Sequence, residues 1–269
     1  MKMVEIAGSG LTVSRLVFGT ASLWKVGAIA RRRTLLETAV AAGFTHFDTA
    51  PYYGFGTAER DLASVLKAHP DVTITTKVGL YSPGGDDQSY LSVVARKTAG
   101  KAIRALATPA VNFAVSRARA SLEGSLRRVG RDCIDLYLMH EPEAHLVDFD
   151  EWRRWQEAAV SEGKVRSWGA AGETHRLGAI LDAGLNPGPV LQVSDSLAAK
   201  EADVLAAHGR QFQLTFGYLS SASKVGPFLP AEQVLALALQ RNSAGAVLVS
   251  TTKSHRVTEL AEIARKAKA

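Results

Sequence analysis

The stretch T45-H-F-D-T-A-P-Y-Y-G-F-G-T-A-E-R60 decides how the rest of the chain is read. Thr45 to Phe47 is a short β-branched and aromatic run, as expected of a buried strand. Pro51 has no N–H to donate and cannot continue a central strand, so Asp48 sits at the strand's end and Tyr52, Tyr53 and Gly54 fall in the loop beyond it. Thr57 then offers a cap, and A58-E-R-D-L-A-S-V-L-K67 carries apolar residues at helical spacing. A carboxylate and a phenol five residues apart thus arrive at the end of a strand, just before a helix. In a protein built of strand–helix repeats, chemistry collects at that end.

The same rhythm continues on both sides. Upstream, V4-E-I-A-G-S-G-L-T-V-S-R15 alternates apolar and polar residues around a Gly-Ser-Gly turn and predicts a hairpin. L16-V-F-G-T20 is a continuous apolar run suited to a parallel sheet buried on both faces, followed by a loop with Trp24 and a helix from Arg31 to Ala42. Downstream, strands are expected at V72-T-I-T-T-K-V-G79, I134-D-L-Y-L-M139, G163-K-V-R-S-W-G-A-A-G172, P189-V-L-Q-V-S194, Q211-F-Q-L-T-F216 and A246-V-L-V-S250. A helical pattern follows each of them, the last from Val257 to Lys266. Between the third strand and its helix lies a long, weakly periodic segment from Tyr81 to about Val115, read as a flap over the strand ends. Eight strands alternating with eight helices predict a (β/α)8 TIM barrel with an N-terminal β-hairpin. No linker or shift in composition divides residues 1–269, so one domain is expected.

Composition narrows the function classes. Apolar residues make up 46% of the 269 and charged residues 22%, enough for a sizeable core. No apolar run approaches the roughly 18 residues that span a bilayer, and the first ten residues lack a long apolar stretch, so neither a membrane partner nor a secretory signal is expected. Cys133 is alone, which excludes an internal disulfide and makes a reducing cytoplasm the natural compartment. The net charge of +6 is modest. Its densest cluster, A30-R-R-R33, has no interleaved aromatic residues and is read as a solvated helix face rather than a nucleic-acid site. No metal set is expected.

The trailing ends of three consecutive strands carry reactive side chains: Asp48 and Tyr53, then Lys77, then His140. A free tyrosine titrates near pH 10 and donates protons poorly unless a neighbouring cation stabilises its phenolate. Lys77 beside Tyr53 would lower that pKa, Asp48 would hold the cation in place, and His140 could orient a substrate carbonyl. Such a group suits protonation of an alkoxide as a hydride arrives, or the reverse. Taken singly, each residue has a structural explanation: Asp48 as a turn cap, Tyr53 as a half-buried aromatic, Lys77 as a snorkelling lysine, His140 as a satisfied rim residue like His46. Four together on consecutive strands weigh against all of these at once. Trp24 and Tyr52 are read as packing residues, Glu59 as an anchor for its loop, and Cys133 as a small core residue.

F47-D-T-A-P-Y-Y-G54 with Glu59, the strand ending in Lys77, I134-D-L-Y-L-M-H140 and G163-K-V-R-S-W-G169 together resemble, in order, the blocks of the aldo-keto reductases, with wording nearest the sugar and pyridoxal dehydrogenase branch. The resemblance implies a barrel with a nicotinamide cofactor across the strand ends and a catalytic tetrad of Asp48, Tyr53, Lys77 and His140, with Tyr53 as general acid–base. It implies a small-molecule carbonyl or alcohol substrate: an aldehyde, a ketone or a sugar. It also implies that Gln192 meets the nicotinamide carboxamide, that Phe216 stacks on the ring, and that Lys253, Ser254 and Arg256 grip an adenosine 2′-phosphate. On that last point NADP is preferred over NAD.

Two departures stand out. The Ser-Asn pair that bonds the carboxamide in the family reads Ala171 and Gly172 here, and the C-terminal substrate loop is expected to be short or missing. The substrate pocket is then open, or completed by the segment from Tyr81 to Val115. The rival is a binding or regulatory protein on the same fold with weak turnover, like the channel-associated members. A barrel lyase using Lys77 as a Schiff base is a third reading, which leaves the Asp48–Tyr53 pair without a purpose.

Overall fold

Eight short parallel strands close on themselves in chain order in the computed structural model, which describes residues 1–224 and 228–267. They are β1 Leu16–Gly19, β2 His46–Asp48, β3 Thr73–Val78, β4 Ile134–His140, β5 Val165–Gly172, β6 Val190–Ser194, β7 Leu214–Phe216 and β8 Ala246–Val249. The ring closes where β8 pairs with β1, Val247 opposite Leu16 and Val249 opposite Phe18. The helices that follow them are α1 Ile29–Ala41, α2 Thr57–Ala68, α3 Val115–Val129, α4 Phe149–Ser161, α5 Thr174–Asp182, α6 Asp203–Ala207, α7 Ala231–Arg241 and α8 Ser254–Lys266. The expected (β/α)8 barrel is the observed one.

Alternation along each strand sorts the side chains into two cores. Outward-facing residues pack under the helices, as where Phe18 meets Phe44 and Phe47 edge-to-face at 5.6 and 5.8 Å. Inward-facing Val17, Leu136, Leu138, Val190, Leu214 and Ala246 fill the barrel. The hairpin Met3–Ile6 and Leu11–Ser14 adds Ile6, Leu11 and Val13 to that inner cluster, and so plugs the barrel's floor. Chemistry is thereby left to the opposite mouth. Among the described residues no helix is long and apolar enough to cross a membrane.

Several local expectations are corrected. Thr57 is the first residue of α2 rather than its cap; Gly56 precedes it at φ +86°. The segment after β3 is not a loop. It holds a two-stranded sheet (Leu80–Tyr81 with Ala110–Val111) and a helix Tyr90–Ala99 capped by Ser89, whose hydroxyl accepts from the Ser92 N–H. A short helix Tyr218–Ala222 follows β7, where none was expected. Arg32 does not belong to a solvated face: it is buried, 2.5 Å from Asp61 on α2 and stacked 4.4 Å from the Tyr90 ring. Cys133 is half-exposed rather than a core residue.

Candidate active site

Asp48, Lys77 and His140 sit at or next to the mouth ends of β2, β3 and β4, and Gln192 lies in the middle of β6. The strand register makes them neighbours: Asp48 is opposite Thr75, Lys77 opposite Leu138, and His140 and Gln192 both opposite Ala171. Because side chains alternate, the inward sets are His46 and Asp48, Thr75 and Lys77, Leu138 and His140. β2, β3 and β4 therefore each deliver their last inward side chain into one space, which Gln192 of β6 joins.

Tyr53 comes from the loop that Pro51 starts. The turn is set by Tyr53 N–H donating to Ala50 O at 2.9 Å, and it passes through three positive-φ residues, Gly54, Phe55 and Gly56. Phe55 is a non-glycine residue in the left-handed region, held there by complete burial. Gly56 is required: a Cβ would lie 1.5 Å from Asp86 O of the flap segment. That contact, with Tyr52 OH donating to Ala107 O at 2.6 Å and Arg60 donating to Gln88 O, shows what the flap does. It buttresses the Tyr53 loop from outside, and none of its described residues lines the cavity at the strand ends, contrary to expectation. Glu59 is the anchor it was read to be, wholly buried and accepting from Thr76 Oγ1 and Arg128 Nε at 2.6 Å each.

The ammonium of Lys77 is the hub. Nζ donates to both Asp48 oxygens at 2.7 and 2.6 Å and to Thr49 O at 3.0 Å, and lies 3.3 Å from the Tyr53 hydroxyl. Burial opposes its charge, but Asp48 and the Tyr53 oxygen more than offset this and hold its pKa above the ordinary lysine range. Tyr53 departs from expectation. Burial raises its pKa, Lys77 pulls the other way, and the net direction is upward. The lysine cannot win because Asp48 neutralises it at contact distance and itself pushes the phenol up. His140 lies edge-to-face on the Tyr53 ring at 5.7 Å. Burial, aided by Lys77, drives its pKa well below the usual histidine value, so it is neutral. His46 is also neutral, with a pKa lowered to about 3 by burial, and its two ring nitrogens are 2.7 Å from Thr73 Oγ1 and Thr75 Oγ1.

These groups floor a cavity of about 520 Å³. Gln192 and Phe216 line it too, joining Asp48, Tyr53, Lys77 and His140 as expected from the sequence. Gln192 is buried, and among the described residues its Oε1 has no hydrogen-bond partner. An amide-bearing aromatic ring beside a half-buried phenylalanine would satisfy both, so the residues present fit a nicotinamide. Lys253 and Ser254 do not reach this cavity. Arg256 lines a second one of about 340 Å³, which shares Leu219 and Ser250 with the first and carries Glu232, Glu259 and Glu262 on its wall. Sequence reasoning missed Glu141, which lines the main cavity. Its place after His140 was visible, but its side chain turns inward through a positive φ of 54° that no spacing reveals.

The sequence model of the Aldo/keto reductase family matches residues 15–207. The 6-dehydroglucose reductase of Agrobacterium fabrum is 32% identical over 170 residues, covering 60% of this chain and 50% of that protein. The chain spans about half the length of the curated relatives it matches. Among solved structures, the aldo-keto reductase AKR11C1 from Bacillus halodurans in its holo form superposes with a TM-score of 0.75 at 20% identity, over 100% of this chain and 92% of that one. An aldo-keto reductase from Klebsiella pneumoniae in complex with NADPH gives a TM-score of 0.68 at 19% identity, over the same shares.

Proposed function

The chain belongs to the aldo/keto reductase family, and on that premise we propose that it is an oxidoreductase acting on a small carbonyl or alcohol. The observation that carries this is Lys77 Nζ held between the Asp48 carboxylate and the Tyr53 hydroxyl beneath a cavity. A bound nicotinamide dinucleotide would supply the hydride to a carbonyl carbon, or take it from an alcohol. Tyr53 gives its phenolic proton to the oxygen that carries the developing negative charge, and Lys77 stabilises the phenolate left behind. Asp48 keeps Lys77 charged and aimed. Neutral His140 donates an N–H to the same substrate oxygen and orients it. In the oxidative direction the Tyr53 phenolate accepts the alcohol proton.

Gln192 and Phe216 would hold the nicotinamide. For the adenosine end, Lys253, Ser254 and Arg256 at the start of α8 favour a 2′-phosphate, assisted by the helix dipole, so NADP is the first choice. Glu232, Glu259 and Glu262 around Arg256 favour a free ribose diol, so NAD is the second. Tighter binding of NADH than NADPH in a fluorescence titration would reverse that order and leave the reaction class standing. An aldehyde, a ketone or a sugar fits an open cavity of this size, in line with the name of the Agrobacterium relative.

Tyr53→Phe tests the reading. Turnover should fall by two to four orders of magnitude, roughly the share carried by a general acid, while cofactor affinity stays within about two-fold. Retained turnover would remove Tyr53 from its role. A protein that holds NADPH without turnover is the rival, favoured by the missing side chains at Ala171 and Gly172; steady reduction of a small aldehyde or sugar excludes it.

A further inference from the structure

We infer that the Glu141 carboxylate takes over the function left open at residues 171 and 172, binding the carboxamide of the nicotinamide together with Gln192. This rests on the cofactor reading above and concerns only which side chain grips the amide.

The starting point is a collision. A Cβ built on Gly172 would lie 2.9 Å from Glu141 Oε2, 3.2 Å from its Cδ and 3.3 Å from its Cα. Gly172 is not at positive φ, so glycine is present there for space and not for backbone conformation. The space in question is occupied by the Glu141 side chain. An asparagine at 172 would require the inward-turned Glu141 side chain to move.

Glu141 is held in this place by three independent contacts. Its N–H donates to Ala171 O at 2.7 Å, its Oε2 accepts from the Glu173 N–H at 3.1 Å, and Arg176 Nε stands 3.7 Å from the same oxygen. The backbone at φ +54° is strained for a residue with a Cβ, and such strain persists where surrounding structure enforces it. Burial raises the Glu141 pKa from its ordinary value, so its solvation is incomplete in the free protein.

The second observation comes from the neighbouring strand. Gln192 is buried, its Oε1 lacks a partner among the described residues, and it lines the same cavity as Glu141, Ala171 and Gly172. Both Gln192 Oε1 and a carboxylate are acceptors, and a carboxamide NH2 has two hydrogens to give. The chemistry of the pair matches one primary amide, with the bond to Glu141 charge-assisted.

The test is calorimetric titration with NADP⁺ and with its 3-acetylpyridine analogue, in which a methyl replaces the amide NH2. The wild-type protein should bind NADP⁺ about ten-fold more tightly than the analogue, as expected for one hydrogen bond to a charged group. Glu141→Ala should weaken NADP⁺ about ten-fold and leave the analogue within about two-fold. Glu141→Gln keeps an acceptor and should retain part of the preference. Gly172→Asn alone should weaken both, because its side chain meets Glu141, and the double variant Glu141→Ala/Gly172→Asn should recover NADP⁺ binding. Equal losses for the two dinucleotides in Glu141→Ala, or no loss, would overturn the inference and leave the cofactor reading intact. Failure of the wild-type protein to bind either NADP⁺ or NAD⁺ would overturn that reading and the inference with it.

Discussion

The ammonium of Lys77 lies 2.6 Å from a carboxylate oxygen of Asp48, with the two side chains only 1% and 3% exposed. A pair this deep is stable only while both charges are present, since removing one leaves the other unsolvated. Asp48→Asn should therefore cost about 3–5 kcal/mol of folding stability, and Lys77→Met a similar amount. The double variant should lose less than the sum, because two uncharged side chains need no partner. Urea unfolding of the four proteins measures the coupling; strictly additive losses would mean that the pair is not mutually dependent.

Histidine burial sets an acid limit on stability. The folded His46 pKa is about 3, against about 6.5 in the unfolded chain, so between these values only the unfolded state binds the proton. Stability contributed by the neutral ring is fully present above pH ~6.5 and is lost as pH falls, by up to about 1.4 kcal/mol per unit. Replacing His46 with Gln removes this titration. Between pH 7.5 and pH 5 the wild-type protein should lose about 2 kcal/mol more than the variant. Equal losses would place the acid sensitivity elsewhere.

The raised pKa of Tyr53 predicts opposite pH profiles for the two directions. The phenol is the acid for reduction, so reductive kcat/KM should stay level through neutral pH and decline only above the ordinary tyrosine range. Oxidation needs the phenolate and should rise with pH throughout the alkaline range. A reductive limb that falls near neutrality would point to another proton donor.

Gly56 and Gly85 separate backbone strain from steric exclusion. Both have positive φ, +86° and +89°, but a Cβ on Gly56 would overlap Asp86 O whereas Gly85 faces open space. Gly85→Ala should cost only about 1–2 kcal/mol for the left-handed backbone. Gly56→Ala should cost about 3 kcal/mol or more, adding overpacking, and should reduce activity by shifting the Tyr53 loop. Melting temperatures and turnover of the two variants decide it; equal effects would show that the flap yields.

The barrel and its reactive side chains were legible because both depend on local pattern. Strand and helix periods of about two and 3.6 residues reported burial directly. Asp48, Lys77 and His140 fall at strand ends, and in a parallel barrel those ends converge whatever the intervening sequence contains. Gln192 and Phe216 were implied only by the family resemblance, and both line the cavity. Lys253 and Ser254 were not placed so well. They stand at the start of α8 outside both cavities, because a helix start fixes the rotation of side chains that strand spacing leaves undetermined.

What the sequence alone determined is that Asp48, Tyr53, Lys77 and His140 would meet; what only the tertiary structure decided is which influence prevails where they do, and what else joins them. The expected lowering of the Tyr53 pKa required knowing that Asp48 would already neutralise Lys77 and that burial would outweigh the remainder. The flap's part as a buttress, Arg32's burial against Asp61 and Tyr90, and Glu141's occupation of the space beside Gly172 likewise join residues distant in the chain or turned by a positive φ. Electrostatic and steric contacts fall off over a few ångströms, so their balance exists only once the fold has set those distances.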